Sequence, residues 1–324
     1  RLLAGNLVGL AQLDPSRSAA LCRQAEQAYL EAIRVVGLES EAETLQVAAT
    51  LSELSQLHRL LGDLDRAEEM YQDLLAGDAD LIIAFGPVSA SVVWGRETYP
   101  KPTVLFGGVN QDVLGAVEPG ATSGVPNFTY LLTAESYERD LRTLDLLYHY
   151  RRVGIVVPKG PLEALGIRHR LDRLMPEIGS RFEIIAYDSP DDLDEALDRI
   201  DAVYLLQSLF IPDEEIREIA DLLIAHRVAS FSGARRDDVE LGLLATNQPR
   251  DGLDVFFRRL ALVVESVVNG EELGDLPVRF DMAGTLTVNF QTARAIGIPI
   301  KHSLITTTEF VGEYENPAAV RRYG

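Results

Sequence analysis

The chain has 324 residues, 47% of them hydrophobic and 25% charged, enough apolar matter for two packed domains of an ordinary soluble protein. Its formal charge of −20 argues against nucleic acid, because phosphate contacts need clustered Lys and Arg, and the 30 basic residues are scattered among 50 acidic ones. A single cysteine, Cys22, excludes an internal disulfide and a cysteine-based metal site, and no apolar run approaches the roughly 20 residues of a spanning helix.

Residues 7–13 (LVGLAQL) read as a first strand, residues 18–36 as a helix capped by Gly37, and residues 45–49 (LQVAA) as a second strand. A rival reading takes residues 41–61 as one helix, so that LLGDLDRAEEMYQDLL, preceded by AEQAYLEAI, forms two tetratricopeptide-like units. Both readings stay open at this point. Residues 63–76 are a helix in either case, with Leu64, Ala67, Tyr71, Leu74 and Leu75 on one face and Gly77 past its end.

Residues 80–110 are the organising stretch. Two short apolar runs, 81–85 and 103–106, end in Gly86-Pro87 and Gly107-Gly108 and bracket one short helix, the pattern of a right-handed βαβ unit with buried parallel strands. Open α/β sheets bind ligands at the carboxyl ends of such strands, where the turn from Gly86 to Ala90 stands. After Asn110, GAVEPGATSGVPNFTY reads as a connection, and then the alternation starts afresh. Helices are expected at 133–150, 162–175, 191–199 and 213–226, and strands at 153–157, 182–187, 202–206, 228–231 and 241–246, a second doubly wound sheet. The helix 252–268, the strand 286–289 and the helix 291–296 are left to cover the first sheet.

These elements predict an α/β chain of two doubly wound parallel-sheet lobes joined by a hinge. Lobe I is discontinuous (1–128 and 248–324), lobe II is 129–247, and the expected crossings are 126–131, 247–250 and 281–285.

The order DADLIIAFG, KPTVLFGGVN, NFTY, RRVGIVVP, DAVYLLQS, VASFSG and VELGLLATN resembles the type I periplasmic binding proteins. The most specific segment is VVNGEELGDLPVRFDMAGTLTVNFQTARAIGI, similar to the ABC-transporter substrate-binding proteins of the branch with tryptophan- and tyrosine-binding members. The likeness covers about residues 63–300. It implies a clamshell that captures a small, amino-acid-like ligand between two lobes and presents it to a membrane permease, as a monomer, without cofactor or metal, in the periplasm or outside the cell. The first residue is Arg1, so a removed leader, a lipid anchor or a longer polypeptide is compatible with this reading.

Each candidate site residue carries a structural alternative. Gly86, Pro87, Ser89 and Ala90 form a turn whose amides, 88–91, and hydroxyl suit a carboxylate, while Ser89 also reads as a plain helix cap. Asn110 ends the neighbouring strand and suits either an amino-acid ligand or a tight turn. Asn127, Thr129 and Tyr130 lie on the first crossing, facing a ligand or buried under a lobe. Lys159, Gln207 and Ser232 follow strand ends of the second lobe and complete the ligand set.

An enzyme is the contrasting class. The five histidines show no HxH or HExxH spacing, GPVSAS lacks the Gly-x-Ser-x-Gly of a nucleophile elbow, and no glycine-rich nucleotide motif is present. The carboxylate pairs Asp191-Asp192 and Asp237-Asp238 are explained by helix dipoles and solvation. The same clamshell also serves as the ligand-binding module of a sensory receptor, the remaining alternative.

Overall fold

The computed structural model describes residues 64–312 except 108, 111–113, 115–116, 119, 134–135, 159–166, 207, 209–210, 251 and 280–283. The expected strands at 7–13 and 45–49, and the rival helix at 41–61, lie outside the described residues. The chain divides into two compact units. One comprises Arg1–Ala134, Lys159–Gly166 and Asp251–Met282, the other Glu135–Pro158, Ile167–Arg250 and Ala283–Gly324.

In the first unit, helix α1 (Leu64–Ala76) precedes strand β1 (Ile82–Phe85), helix α2 (Gly86–Val93), strand β2 (Thr103–Phe106) and strand β3 (Phe128–Leu131). The three strands are parallel in the order β1-β2-β3, with Phe85 opposite Phe106 and Phe106 opposite Leu131. Almost every residue of IIAF, TVLF and FTYL is buried, as a sheet covered on both faces requires. Alternation divides them. Ile82, Ala84, Leu105, Phe128 and Tyr130 pack with Tyr71 and Leu74 of α1 and Ala90 and Val93 of α2. Ile83, Val104, Phe106 and Leu131 meet Phe256, Leu260, Val263 and Val264 of helix α8 (Gly252–Val268). Phe106 stacks on Phe256 at a centroid distance of 4.3 Å.

The second unit carries a seven-stranded sheet. Helix α3 (Tyr137–Leu147) leads to strand β4 (Arg152–Pro158), helix α4 (Ile167–Ile178), strand β5 (Arg181–Tyr187), helix α5 (Pro190–Asp194) and strand β6 (Ala202–Leu205). Helix α6 (Asp213–Ala225), strand β7 (Ala229–Ser232), helix α7 (Asp237–Glu240) and strand β8 (Ala245–Thr246) follow. After α8 come strand β9 (Thr287–Asn289), helix α9 (Phe290–Ile296), helix α10 (His302–Ile305) and strand β10 (Glu309–Val311). The strand order is β10-β9-β8-β7-β6-β4-β5, parallel except where β9 runs antiparallel to β8.

Three expectations are corrected here. Residues 128–131 are not a crossing but β3, paired along its length with β2, so Thr129 and Tyr130 belong to the first sheet. The strand expected at 286–289 to cover the first sheet joins the second, Thr287 opposite Thr246, and 283–324 clusters with that unit. The expected strand 241–246 shrinks to Ala245–Thr246, because Leu241 closes α7 through its amide bond to the Asp237 carbonyl at 2.9 Å and Gly242 follows with φ of 123°.

Candidate functional site

The first unit builds its candidate site at the carboxyl edge of β1 and β2. Phe85 is the N-terminal cap of α2 with extended backbone and makes no side-chain cap, and Gly86 turns the chain into the helix with φ of 85°. The helix thus begins at Gly86, so the first-turn amides lacking an intrahelical acceptor are those of Gly86 and Val88, Pro87 having none. Those of residues 89, 90 and 91, included among the expected donors, lie inside the helix.

Ser89 is therefore not the cap that the structural alternative made it. It sits inside the first turn, 2% exposed, and its Oγ has no hydrogen-bond partner among the described residues. A buried hydroxyl without a partner costs on the order of 1–3 kcal/mol, so an arrangement that keeps one calls for a ligand or another compensation. Ala90 is buried in the core of this unit. Close by, Gly107 leaves β2 with φ of 76°, and any Cβ there would lie 2.7 Å from the Phe85 ring.

Asn110 is buried at 2% and follows β2 at the same edge, its carbonyl accepting the Leu114 amide at 3.2 Å. Thr129 lies inside β3 opposite Val104, on the side facing α8, fully buried, and its Oγ1 has no partner among the described residues. Tyr130 points to the other face and packs edge-on against the half-exposed Trp94 at 5.0 Å, and burial raises its phenol above the ordinary range. Asn127 is at the opposite edge. It precedes β3 with φ of 58° and donates its side-chain amide to the Tyr99 carbonyl at 3.1 Å, about 13 Å along the strand from the carboxyl ends. The first unit therefore brings Gly86, Pro87, Ser89 and Asn110 to one edge and leaves Asn127 out.

Lys159 and Gln207 lie outside the described residues. Ser232 ends β7 and is fully buried. Its hydroxyl donates to Asp238 Oδ2 at 2.6 Å and accepts the Arg235 amide at 3.3 Å, and Ser208 donates to the same carboxylate oxygen. Arg235, itself 6% exposed, donates Nε to Asp238 Oδ1 at 2.9 Å and Nη1 to Asp213 at 2.9 Å. Burial pushes the Asp238 carboxyl upward against the opposing pull of Arg235, Ser208 and Ser232. Solvation does not explain Asp238, as the sequence reading had it. Asp192 fits the helix-start half of that reading, its carboxylate accepting the Asp188 and Ser189 amides at the start of α5.

A second network lies beside it. Asp140, in the first turn of α3, is fully buried and accepts from Asn247 Nδ2 at 2.8 Å, Tyr204 Oη at 3.1 Å and Arg139 Nε at 3.3 Å. Burial outweighs these partners and pushes its carboxyl up to about 6. Thr246 donates its hydroxyl to the Ser232 carbonyl at 2.8 Å, and Gln248 donates Nε2 to the Gly233 carbonyl at 2.7 Å, which joins the ends of β7 and β8.

Asp140 is not singled out by the sequence reading, although one signal exists. Tyr137, Asp140, Leu141, Leu144 and Leu147 form the buried stripe of α3, and an acid within such a stripe must find partners.

No protein-family model and no curated protein matches the chain. Solved structures do. A conserved domain protein from Vibrio cholerae O1 biovar eltor superposes with a TM-score of 0.61 at 17% identity, covering 77% of this chain and 84% of its own. The ABC domain in complex with L-Trp from Streptococcus pneumonia gives 0.58 at 15% identity, over 77% and 86%. The ligand-free, open structure of a substrate binding protein with adhesive properties from Clostridium difficile gives 0.52 at 14% identity, over 91% and 96%.

The fold is that of the substrate-binding proteins. Within this substrate-binding fold the two parallel-sheet units match the architecture that the sequence resemblance implied. Of these neighbours one is named a substrate binding protein and another is in complex with L-Trp. Among the described residues no helix is long and apolar enough to cross a membrane.

Proposed function

We propose that the chain is the solute-binding component of an ABC transporter, taking a small amino-acid-like ligand and presenting it to a membrane permease without transforming it. The observation that carries this is Ser89, a buried hydroxyl without a described partner in the first turn of a helix at the carboxyl edge of a parallel sheet. A ligand carboxylate there gains the Ser89 hydroxyl, the Gly86 and Val88 amides and the positive end of the α2 dipole. Asn110 on the same edge suits the ligand's amino or amide group. Lys159 and Gln207 are further candidate contacts by their places after strand ends in the sequence, and Ser232 acts indirectly by holding the turn after β7 to Asp238.

The L-Trp named for the pneumococcal structure supports an amino acid as the ligand class. Work beside a permease implies export to the periplasm or the cell exterior, where a monomer suffices.

The test is a thermal-shift screen of the purified chain against amino acids, sugars, nucleosides and dicarboxylates. A ligand at about 100 times Kd adds roughly 2.7 kcal/mol of apparent stability. One amino acid raising Tm in the wild type, failing to do so in Ser89→Ala, and being recovered chemically unchanged supports the proposal. A flat screen, or a shift that Ser89→Ala leaves intact, sinks it.

A further inference from the structure

Besides the excursion Lys159–Gly166, the chain passes between its two units at three places, after Ala134, after Arg250 and after Met282. The described residues next to these places on the second-unit side meet at one side chain. From the first connection comes α3, whose Asp140 amide bonds the carbonyl of the cap residue Ser136 at 2.9 Å. From the second comes Asn247, three positions before the crossing, which donates to Asp140 Oδ1 at 2.8 Å and also approaches Thr143 Oγ1 at 3.0 Å. From the third comes Gly284, packed so closely that a side chain there would meet the Asn247 carbonyl oxygen at 2.5 Å and Arg139 Nη1 at 3.0 Å. Strand β6 closes the ring through Tyr204, whose hydroxyl reaches Asp140 Oδ2 at 3.1 Å.

We propose that Asp140 is a proton-operated clamp within the second unit that holds the start of α3, Asn247 and Gly284 together, locking them when protonated and loosening them when charged. The argument is one of solvation. The carboxylate is fully buried, and the only cation that the described residues bring to it is Arg139 of its own helix, 39% exposed at its side chain. Tyr204 and Asn247 approach it as neutral donors, and the third connection offers glycine backbone. One partly exposed cation and two neutral donors offset the lost hydration of a buried charge incompletely, so the charged form favours any state that admits water. Water reaches Asp140 when Asn247 and Gly284 draw back from it.

The sign follows from the direction of the shift. Folding raises the Asp140 carboxyl to about 6 from an ordinary 3.8, so the packed clamp binds the proton more tightly than an opened one. Lowering pH through this range tightens the clamp, and raising it loosens the clamp. The range includes mildly acidic and neutral surroundings, and the device works whatever ligand the protein carries.

Hydrogen exchange followed by mass spectrometry tests this on the whole chain, with rates corrected for the chemical pH dependence of amide exchange. Peptides spanning 244–250 and 284–289 are expected to open about tenfold less at pH 5 than at pH 7.5. Asp140→Asn keeps the shape, and Nδ2 of the new side chain can donate to Tyr204, so it is expected to show the protected rates at both pH values. Arg139→Gln removes an exposed partner that lowers the Asp140 pKa, and is expected to move the midpoint upward without unfolding the chain. Rates in the wild type that stay flat from pH 5 to 7.5, or a step that survives in Asp140→Asn, overturn the proposal.

Discussion

Asn247 donates its side-chain amide to Asp140 Oδ1 at 2.8 Å, joining helix α3 to the end of β8 across 107 positions of sequence. The bond holds a charge in the interior that burial makes costly. Because the native carboxyl titrates near 6 and the unfolded one near 3.8, the native state holds more protons between these values, and stability falls as pH rises through them. Asp140→Asn removes the titration. The difference in unfolding free energy, variant minus wild type, is therefore expected to rise by on the order of 3 kcal/mol from about pH 4 to pH 7, read from urea unfolding at each pH. A difference independent of pH would show that Asp140 is solvated in the native state.

Ser89→Ala is expected to separate function from stability. Removing a buried hydroxyl without a partner among the described residues leaves stability unchanged or raises it by about 1 kcal/mol, whereas truncating a helix cap costs about that much. A denaturant midpoint that drops in the variant would return Ser89 to the role of cap.

Gly233→Ala is expected to destabilise the second unit by about 1–3 kcal/mol. Its Cβ would lie 2.4 Å from Tyr204 Oη and 3.2 Å from the Leu205 carbonyl oxygen, in a buried position with no room to shift. Tyr204→Phe removes the nearer clashing atom, so the double variant is expected to lose less than the sum of the singles. A double-mutant cycle measures this, and additivity within about 0.5 kcal/mol would place the strain elsewhere.

Phe106→Ala is expected to cost about 3–5 kcal/mol, through the lost stack on Phe256 and the cavity left between the first sheet and α8. Chemical unfolding monitored by near-ultraviolet circular dichroism provides the readout. A loss under 1 kcal/mol would mean that α8 does not depend on this contact.

Much of the fold was legible because buried parallel strands are continuous apolar runs. The segments predicted at 81–85, 103–106 and 202–206 fall within a residue of β1, β2 and β6, since burial on both faces leaves nothing to alternate. The site was legible in outline for the same reason. A turn that follows such a strand must stand at the carboxyl edge, which places Gly86, Ser89 and Asn110 without any contact being known.

Local sequence thus determined the α/β class, the parallel strands and the edge that carries the candidate site, because these depend on periodicity and on which residue follows a strand. Tertiary structure alone decided partners. Nothing in the sequence of Thr287–Asn289 assigns it to one sheet, and only pairing with Ala245 and Thr246 settles which. Asn127 has the polarity of a site residue but turns the chain at the other edge. Asp140 and Asp238 find their buried partners only when distant residues meet, Asn247 and Tyr204 around the first, Ser208 and Ser232 around the second. A helical stripe announces that Asp140 is buried, but which groups bond it is a property of the assembled interior that no local pattern encodes.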